Sequence, residues 1–193
     1  MNAVCVFCGS SRGLDPAFAE EAARLGRALA HRGLRLVYGG GNVGLMGVLA
    51  DAALAAGGQV VGVIPRGLAV RELAHEGVTT LHVVESMHER KALMASMADA
   101  FIALPGGFGT LEEFCEVVTW TQLGIQDKPC GLLNVSGFYD DLRRFLDHAL
   151  AEQFLRPTHS EIVVTDTDAA RLLDRLAAWT PPTVSKWLGP GQV

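Results

Sequence analysis

Short apolar runs rich in Val, Ile and Leu alternate along this chain with longer stretches whose apolar positions recur at helical spacing. A run without polar alternation reads as a strand covered on both faces. Its repetition between amphipathic segments predicts a parallel sheet layered between helices. The runs place strands at Val4 to Phe7, Leu34 to Tyr38, Gln59 to Ile64, Thr79 to Val84, Ala100 to Leu104 and Pro129 to Leu133, with a weaker one at Ile162 to Val164. Asp15 followed by Pro16 predicts the start of the first helix, because an Asp side chain accepts a free helix N–H and proline suits the first helical position. That helix ends near Gly33. No internal repeat interrupts the pattern, so residues 1–180 read as one α/β domain and 181–193, from Pro181-Pro182 to the closing PGQV, as a surface tail.

Composition narrows the function classes. The 193 residues are 49% hydrophobic and 19% charged, which predicts a packed globule rather than a disordered chain. Sixteen Lys plus Arg against 21 Asp plus Glu give a net charge of −5, which repels a nucleic-acid backbone. The opening MNAVCVFCGSS has no basic leader region, and no apolar stretch reaches the ~18 residues a membrane helix needs, so a soluble cytoplasmic protein is expected. Four cysteines are too few for a disulfide scaffold. Cys5 and Cys8 form C-x-x-C, but within a strand positions three apart point to opposite faces, which argues against a redox or zinc pair. The six histidines are scattered and no metal-ligand spacing appears.

In a parallel sheet each strand's carboxyl end meets the start of the next helix on one common edge, so chemistry gathers there. Four strands run into loops of unusual composition: CGSS at Cys8 to Ser11, GGGNVGLMG at Gly39 to Gly47, ESMHERK at Glu85 to Lys91 and PGGFGTLEE at Pro105 to Glu113. Three of them combine glycines or small hydroxyl residues with a helix start, where free N–H groups and the positive dipole end attract an anion. None is a dinucleotide fingerprint or a Walker loop, and a compact phosphate such as a nucleoside monophosphate suits them better than a triphosphate. Ser10, Gly40, Gly41 and the run Gly106, Gly107, Phe108, Gly109 and Thr110 are the candidate contacts.

The charged residues of these loops admit two readings each. Thr110 to Glu113 spells T-x-x-E, a capping box, yet a carboxylate one turn into a helix that opens on a phosphate loop can also reach a bound sugar. Ser86 to Glu89 spells S-x-x-E, and there the capping role suffices. Glu112 and Glu116 read as solvated. Arg90 and Lys91 stand near the start of a helix, where the dipole disfavours cations by about 0.3–1 kcal/mol each, an arrangement that a bound phosphate would reverse. His88 fits a surface or capping position as well as a ligand contact.

The combination of GGGNVGLMG, SMHERK and PGGFGTLEE closely resembles the LOG family of cytokinin riboside 5′-monophosphate phosphoribohydrolases, many of which once carried the label lysine decarboxylase. The likeness runs from CVFCGSS to about DKPCGLLN and beyond. It implies a Rossmann-like, doubly wound α/β fold, usually homodimeric, that hydrolyses the N-glycosidic bond of an adenine-type nucleoside 5′-monophosphate to free base and ribose 5-phosphate, with no metal or redox cofactor. Some bacterial relatives act on AMP. By the same resemblance, Arg90 and Glu113 match the catalytic arginine and glutamate. Lys91, Gly107 to Thr110, Leu111, Glu112 and Thr119 match nucleotide contacts, and Glu72 aligns with a further one. Decarboxylation through pyridoxal phosphate requires a Schiff-base lysine, and this chain has only Lys91, Lys128 and Lys186. The competing class is a non-catalytic carrier of a nucleotide or a molybdopterin-type cofactor, disfavoured by Arg90 with Glu113. The helix Leu111 to Leu123 carries Phe114, Val117, Val118, Trp120 and Leu123, more apolar surface than one face requires, which with the resemblance predicts a homodimer.

Overall fold

In the computed structural model, which describes residues 1–69 and 73–182, seven parallel strands form one sheet in the order β4-β3-β2-β1-β5-β6-β7. The strands are β1 (Ala3–Phe7), β2 (Arg35–Tyr38), β3 (Val60–Pro65), β4 (Thr80–Val84), β5 (Ala100–Ala103), β6 (Cys130–Leu133) and β7 (Val163–Asp166). All seven expected strands are present, and the weak run near Ile162 becomes a full partner of β6, with Cys130 opposite Val163. The helices are α1 (Pro16–His31), α2 (Gly44–Ala55), the single turn α3 (Arg66–Leu68), α4 (Met87–Ser96), α5 (Phe108–Gln122), α6 (Asp140–Ala151), the short α7 (Pro157–Ser160) and α8 (Ala169–Ala178). Asp15 caps α1 as its sequence predicts, accepting the Ala17 N–H at 2.9 Å, with Pro16 at the first position.

The chain winds outward from β1 to β4, then returns to lay β5 on the other side of β1. Val4 pairs with Leu36 on one side and Ala100 on the other. The gap between β1 and β5 is therefore the topological switch point, where doubly wound sheets open a crevice beyond their carboxyl ends.

Two apolar layers cover the sheet. One face packs Val4, Val6, Leu36 and Ile102 under α1, α2 and α8; the other packs Cys5, Val37, Phe101 and Leu132 under α4 and α5. Cys5 and Cys8 fall in opposite layers, as strand alternation requires, and burial pushes both thiols well above their ordinary range. They are inert core residues rather than a redox pair.

The apolar residues of α5 are used within the chain. Phe114 and Val117 are buried, and Val118 and Trp120 pack on the same layer, so that helix leaves less surface than its sequence suggests. The unspent surface lies on α6, which has no buried residue and shows Phe145 at 64% exposure, followed by Phe154 at 85%. Between α5 and α6 runs an apolar groove of about 430 Å³, lined by Phe114, Val118, Leu142, Leu146, Leu155 and Val163.

Candidate active site

The four loops converge beyond the ends of β1, β2, β4 and β5. The Gly9 N–H donates to Pro105 O at 3.0 Å, and the Leu45 N–H donates to Gly9 O at 3.0 Å, so the first loop is tied to both glycine-rich ones. At Gly44 the backbone has φ +60° and a Cβ would collide with the Ser10 backbone, which only glycine avoids. At Gly39 a Cβ would strike the Arg90 guanidinium. Arg90 thus lies flat against the backbone of the second loop. From there it reaches the fourth: Arg90 Nη2 stands 3.0 Å from Glu113 Oε1, with side-chain exposures of 11% and 10%.

Burial decides the electrostatics of this pair. Desolvation pushes the Glu113 carboxyl above its ordinary value, and the Arg90 charge pulls it back only in part. Arg90 Nη1 donates to the Met87 thioether at 3.7 Å, while its buried Nε has no partner among the described residues. A guanidinium held by one carboxylate and one weak acceptor keeps a donor for something else.

Helix α5 begins earlier than the T-x-x-E pattern suggests. Gly107 is its N-cap and Phe108 its first residue, so Thr110 is the third helical residue, buried, and no capping box forms with Glu113. The capping reading of Glu113 is overturned, since the glutamate lies too far along the helix to reach back and turns to Arg90 instead. At α4 the box is nearly as expected. Ser86 accepts the Glu89 N–H at 3.1 Å, but Glu89 Oε2 accepts from Glu85 N–H at 2.8 Å rather than from the cap's own.

Caps separate the helices into two kinds. Side chains cap α1, α4 and α8, through Asp15, Ser86 and Asp168, whereas α2 starts at Val43 and α5 at Gly107 with no side-chain cap. Of the helices that no side chain caps, which also include α3 and α6, α2 and α5 are the two that open on the glycine loops. A Cβ at Gly107 or Gly109 would meet nothing within 4 Å, and residues 107–109 are exposed, so the first-turn N–H groups of α5 face open space. Phe108 stands beside them at 94% exposure.

Other expected contacts are placed differently. The Lys91 ammonium donates to Glu112, and to Glu116 at 3.1 Å, which corrects the reading of those glutamates as merely solvated. Burial alone would lower the Lys91 ammonium, but the two carboxylates outweigh it and hold it above its usual range. Lys91 ties α4 to α5, and so sets the spacing of Arg90 from Glu113. Leu111 packs on the core beneath the site. Thr119 is 11 residues along α5 from Phe108, about 16 Å at ~1.5 Å per residue. It lines the α5–α6 groove rather than the mouth. Gly40 and Gly41 are held from the far side by residues 73–75, through Asn42 N–H to Leu73 O at 2.7 Å and His75 N–H to Gly40 O at 2.9 Å. Glu72 and the tail from Thr183 onward lie outside the described residues.

Residues 46–176, well over half the chain, match the family model described as "Possible lysine decarboxylase". The chain is 51% identical over 178 residues, 92% of its own length and 83% of the relative's, to the Arabidopsis thaliana cytokinin riboside 5′-monophosphate phosphoribohydrolase LOG3. The rice protein named LOG is 49% identical across 92% of this chain and 74% of its own. The chain belongs to the LOG family. Among solved structures, a molybdenum cofactor binding protein from Rippkaea orientalis superposes with a TM-score of 0.69 at 21% identity, covering 92% of this chain and 96% of that one. The Chlamydomonas reinhardtii molybdenum cofactor carrier protein gives 0.69 at 21%, over 92% and 99%. Likeness at that identity establishes the Rossmann-like fold and nothing finer.

The decarboxylase description of the family does not suit this site. Lys91 is engaged by two glutamates, and Lys128 donates to Ala95 O at 2.8 Å in the core, so neither described lysine offers a free amine at the mouth for a Schiff base with pyridoxal phosphate. Among the described residues no helix is long and apolar enough to cross a membrane.

Proposed function

We propose that this LOG-family protein hydrolyses the N-glycosidic bond of an adenine-type nucleoside 5′-monophosphate, AMP or an N6-modified cytokinin nucleotide, to free base and ribose 5-phosphate. The observation that carries this reading is the buried Arg90–Glu113 pair beside the uncapped start of α5. The 5′-phosphate docks on the N–H groups of Gly107 to Thr110 and beside Ser10, where the dipole ends of α5 and α2 favour a dianion. Binding energy gained there positions the sugar. As the bond from C1′ to the base nitrogen breaks, positive charge builds on the ribose ring, and the Glu113 carboxylate stabilises it. Water adds to C1′ and gives one proton to Glu113, the departing base takes up a proton from solvent, and Glu113 returns its own to solvent, so that in sum one water is split between C1′ and the base. Arg90 favours the ionised form of Glu113 against the effect of burial and offers its bare Nε–H to the substrate. The names of the relatives, phosphoribohydrolases of cytokinin riboside 5′-monophosphate, support the same substrate class.

Incubation with AMP or isopentenyladenosine monophosphate, followed by chromatography, tests this directly. Free base and ribose 5-phosphate are expected, with the unphosphorylated nucleoside a poor substrate. An intact nucleotide at the end of the incubation would instead mark a carrier.

The protein is also proposed to act as a homodimer. The support is α6, with no buried residue, and the exposed Phe145 and Phe154 beside the apolar groove that Thr119 lines. Such a surface is costly to leave in water, and a second copy would cover it. Light scattering is expected to give twice the 20.5 kDa chain mass, and a monomeric mass would defeat the assignment.

A further inference from the structure

Beyond the mouth, one buried imidazole sits where it can govern the site without touching it. We propose that His75 and Asp51 form a positioning pair that holds the Gly39–Asn42 loop in place beneath Arg90. Residues 73–75 lie alongside that loop as a short antiparallel strip: Gly41 pairs with Ala74, the Asn42 N–H donates to Leu73 O, and the His75 N–H donates to Gly40 O. The strip belongs to no strand of the sheet, so something else must anchor it.

The anchor is the His75 side chain, 7% exposed. The Gly77 N–H donates into its Nδ1 at 3.2 Å, so Nδ1 is the acceptor and Nε2 carries the proton. Nε2 in turn lies 2.9 Å from Asp51 Oδ1 on α2. Helix α2 starts at Gly44, directly after the loop. The loop is therefore gripped from two sides by elements that the imidazole links. On its remaining face the loop presents Gly39, against which the Arg90 guanidinium rests. A shift of the loop moves Arg90, and with it the pairing to Glu113. His75 touches neither, which makes it a positioning residue.

The kinetic test rests on the proposed function; a second readout does not. His75→Leu and Asp51→Leu remove the link at similar volume, while Asp51→Asn keeps a carbonyl that accepts the same Nε2–H. Each leucine variant is expected to lower kcat about tenfold, since small misplacements of catalytic groups carry losses of this order. KM should rise by less than kcat falls, because the phosphate contacts on α5 are untouched even where the loop before α2 shifts. The double leucine variant should lose no more than either single one, and Asp51→Asn should retain the parental rate. Amide exchange at Gly40 to Asn42 should quicken in the leucine variants while β1 and β5 keep their protection. Asp51 is largely exposed, so Asp51→Leu keeps the test open should His75→Leu fail to fold. Parental kcat in Asp51→Leu, multiplying losses in the double variant, or an Asp51→Asn as slow as Asp51→Leu would each overturn the pair. Were the parent unable to cleave nucleotides, the proposed function would fall, and unchanged exchange at Gly40 to Asn42 would separately overturn the pair.

Discussion

Two acidic side chains near the carboxyl edge of the sheet sit among arginines, and their surroundings drive them in opposite directions. Asp166, at the end of β7, accepts from Arg171 at 2.8 Å and from the Asp168 N–H at 3.0 Å, with Arg175 at 3.4 Å. Burial alone would raise its carboxyl, but these donors outweigh it and hold it at about 2. Glu113 faces one guanidinium in a drier place, and burial wins. The sign for stability differs accordingly. Asp166 stabilises the fold above its ordinary value and loses that contribution as pH falls through about 2. Glu113, raised, favours the fold when protonated and works against it as pH rises through its folded value. A saturated cluster caps a helix and stays ionised. An undersupplied one keeps a carboxylate tunable and a donor bare, at some expense to stability, which is the mark of a working site.

The largest effect that would break this contrast concerns the carboxylates themselves. Glu113→Gln is expected to lower the rate of base release by about 10²–10⁴ with the circular dichroism spectrum unchanged, and Asp166→Asn to leave it within about twofold. Equal losses in both variants would erase the distinction. Arg90→Met comes next. It should lower kcat/KM about 10²-fold, and should move the acid limb of the pH–rate profile upward, because the guanidinium is what pulls Glu113 down. In the parent that limb should already lie above the ~4.3 of an ordinary glutamate.

Capping sharpens the same difference at smaller scale. Gly107→Asp would supply α5 with the cap it lacks, so KM for AMP should rise about tenfold while thermal stability holds or improves. Asp168→Ala should do the reverse, costing about 1 kcal/mol of stability with KM unmoved. The smallest effect is in acid. Between about pH 4 and 2, melting of the parent should fall more steeply than that of Asp166→Asn, as monitored by circular dichroism.

Much of this was readable from residues alone, for identifiable reasons. Buried parallel strands announce themselves as unbroken apolar runs, so even the marginal one near Ile162 was found. The four loops could be brought to one edge because crossover handedness leaves no other choice. The T-x-x-E at Thr110 left two readings of Glu113 open because the pattern does not say where the helix begins, and Gly107 starts it three positions earlier. The salt links of Lys91 with Glu112 and Glu116 escaped notice since they join α4 to α5 across 21 and 25 positions of sequence. The His75–Asp51 contact left no signal either. It depends on a strip with no periodicity meeting the middle of a helix 24 residues away.

The placing of β1 between β2 and β5 also governs how the molecule is made. During synthesis β1 can find β2 within some 30 residues, but its other edge stays open until Ala100 and its neighbours have left the ribosome. An incomplete chain would therefore present a bare, hydrophobic strand edge where the finished one has its crevice. Arrival of the second half closes that edge and removes the site at which two growing chains could pair.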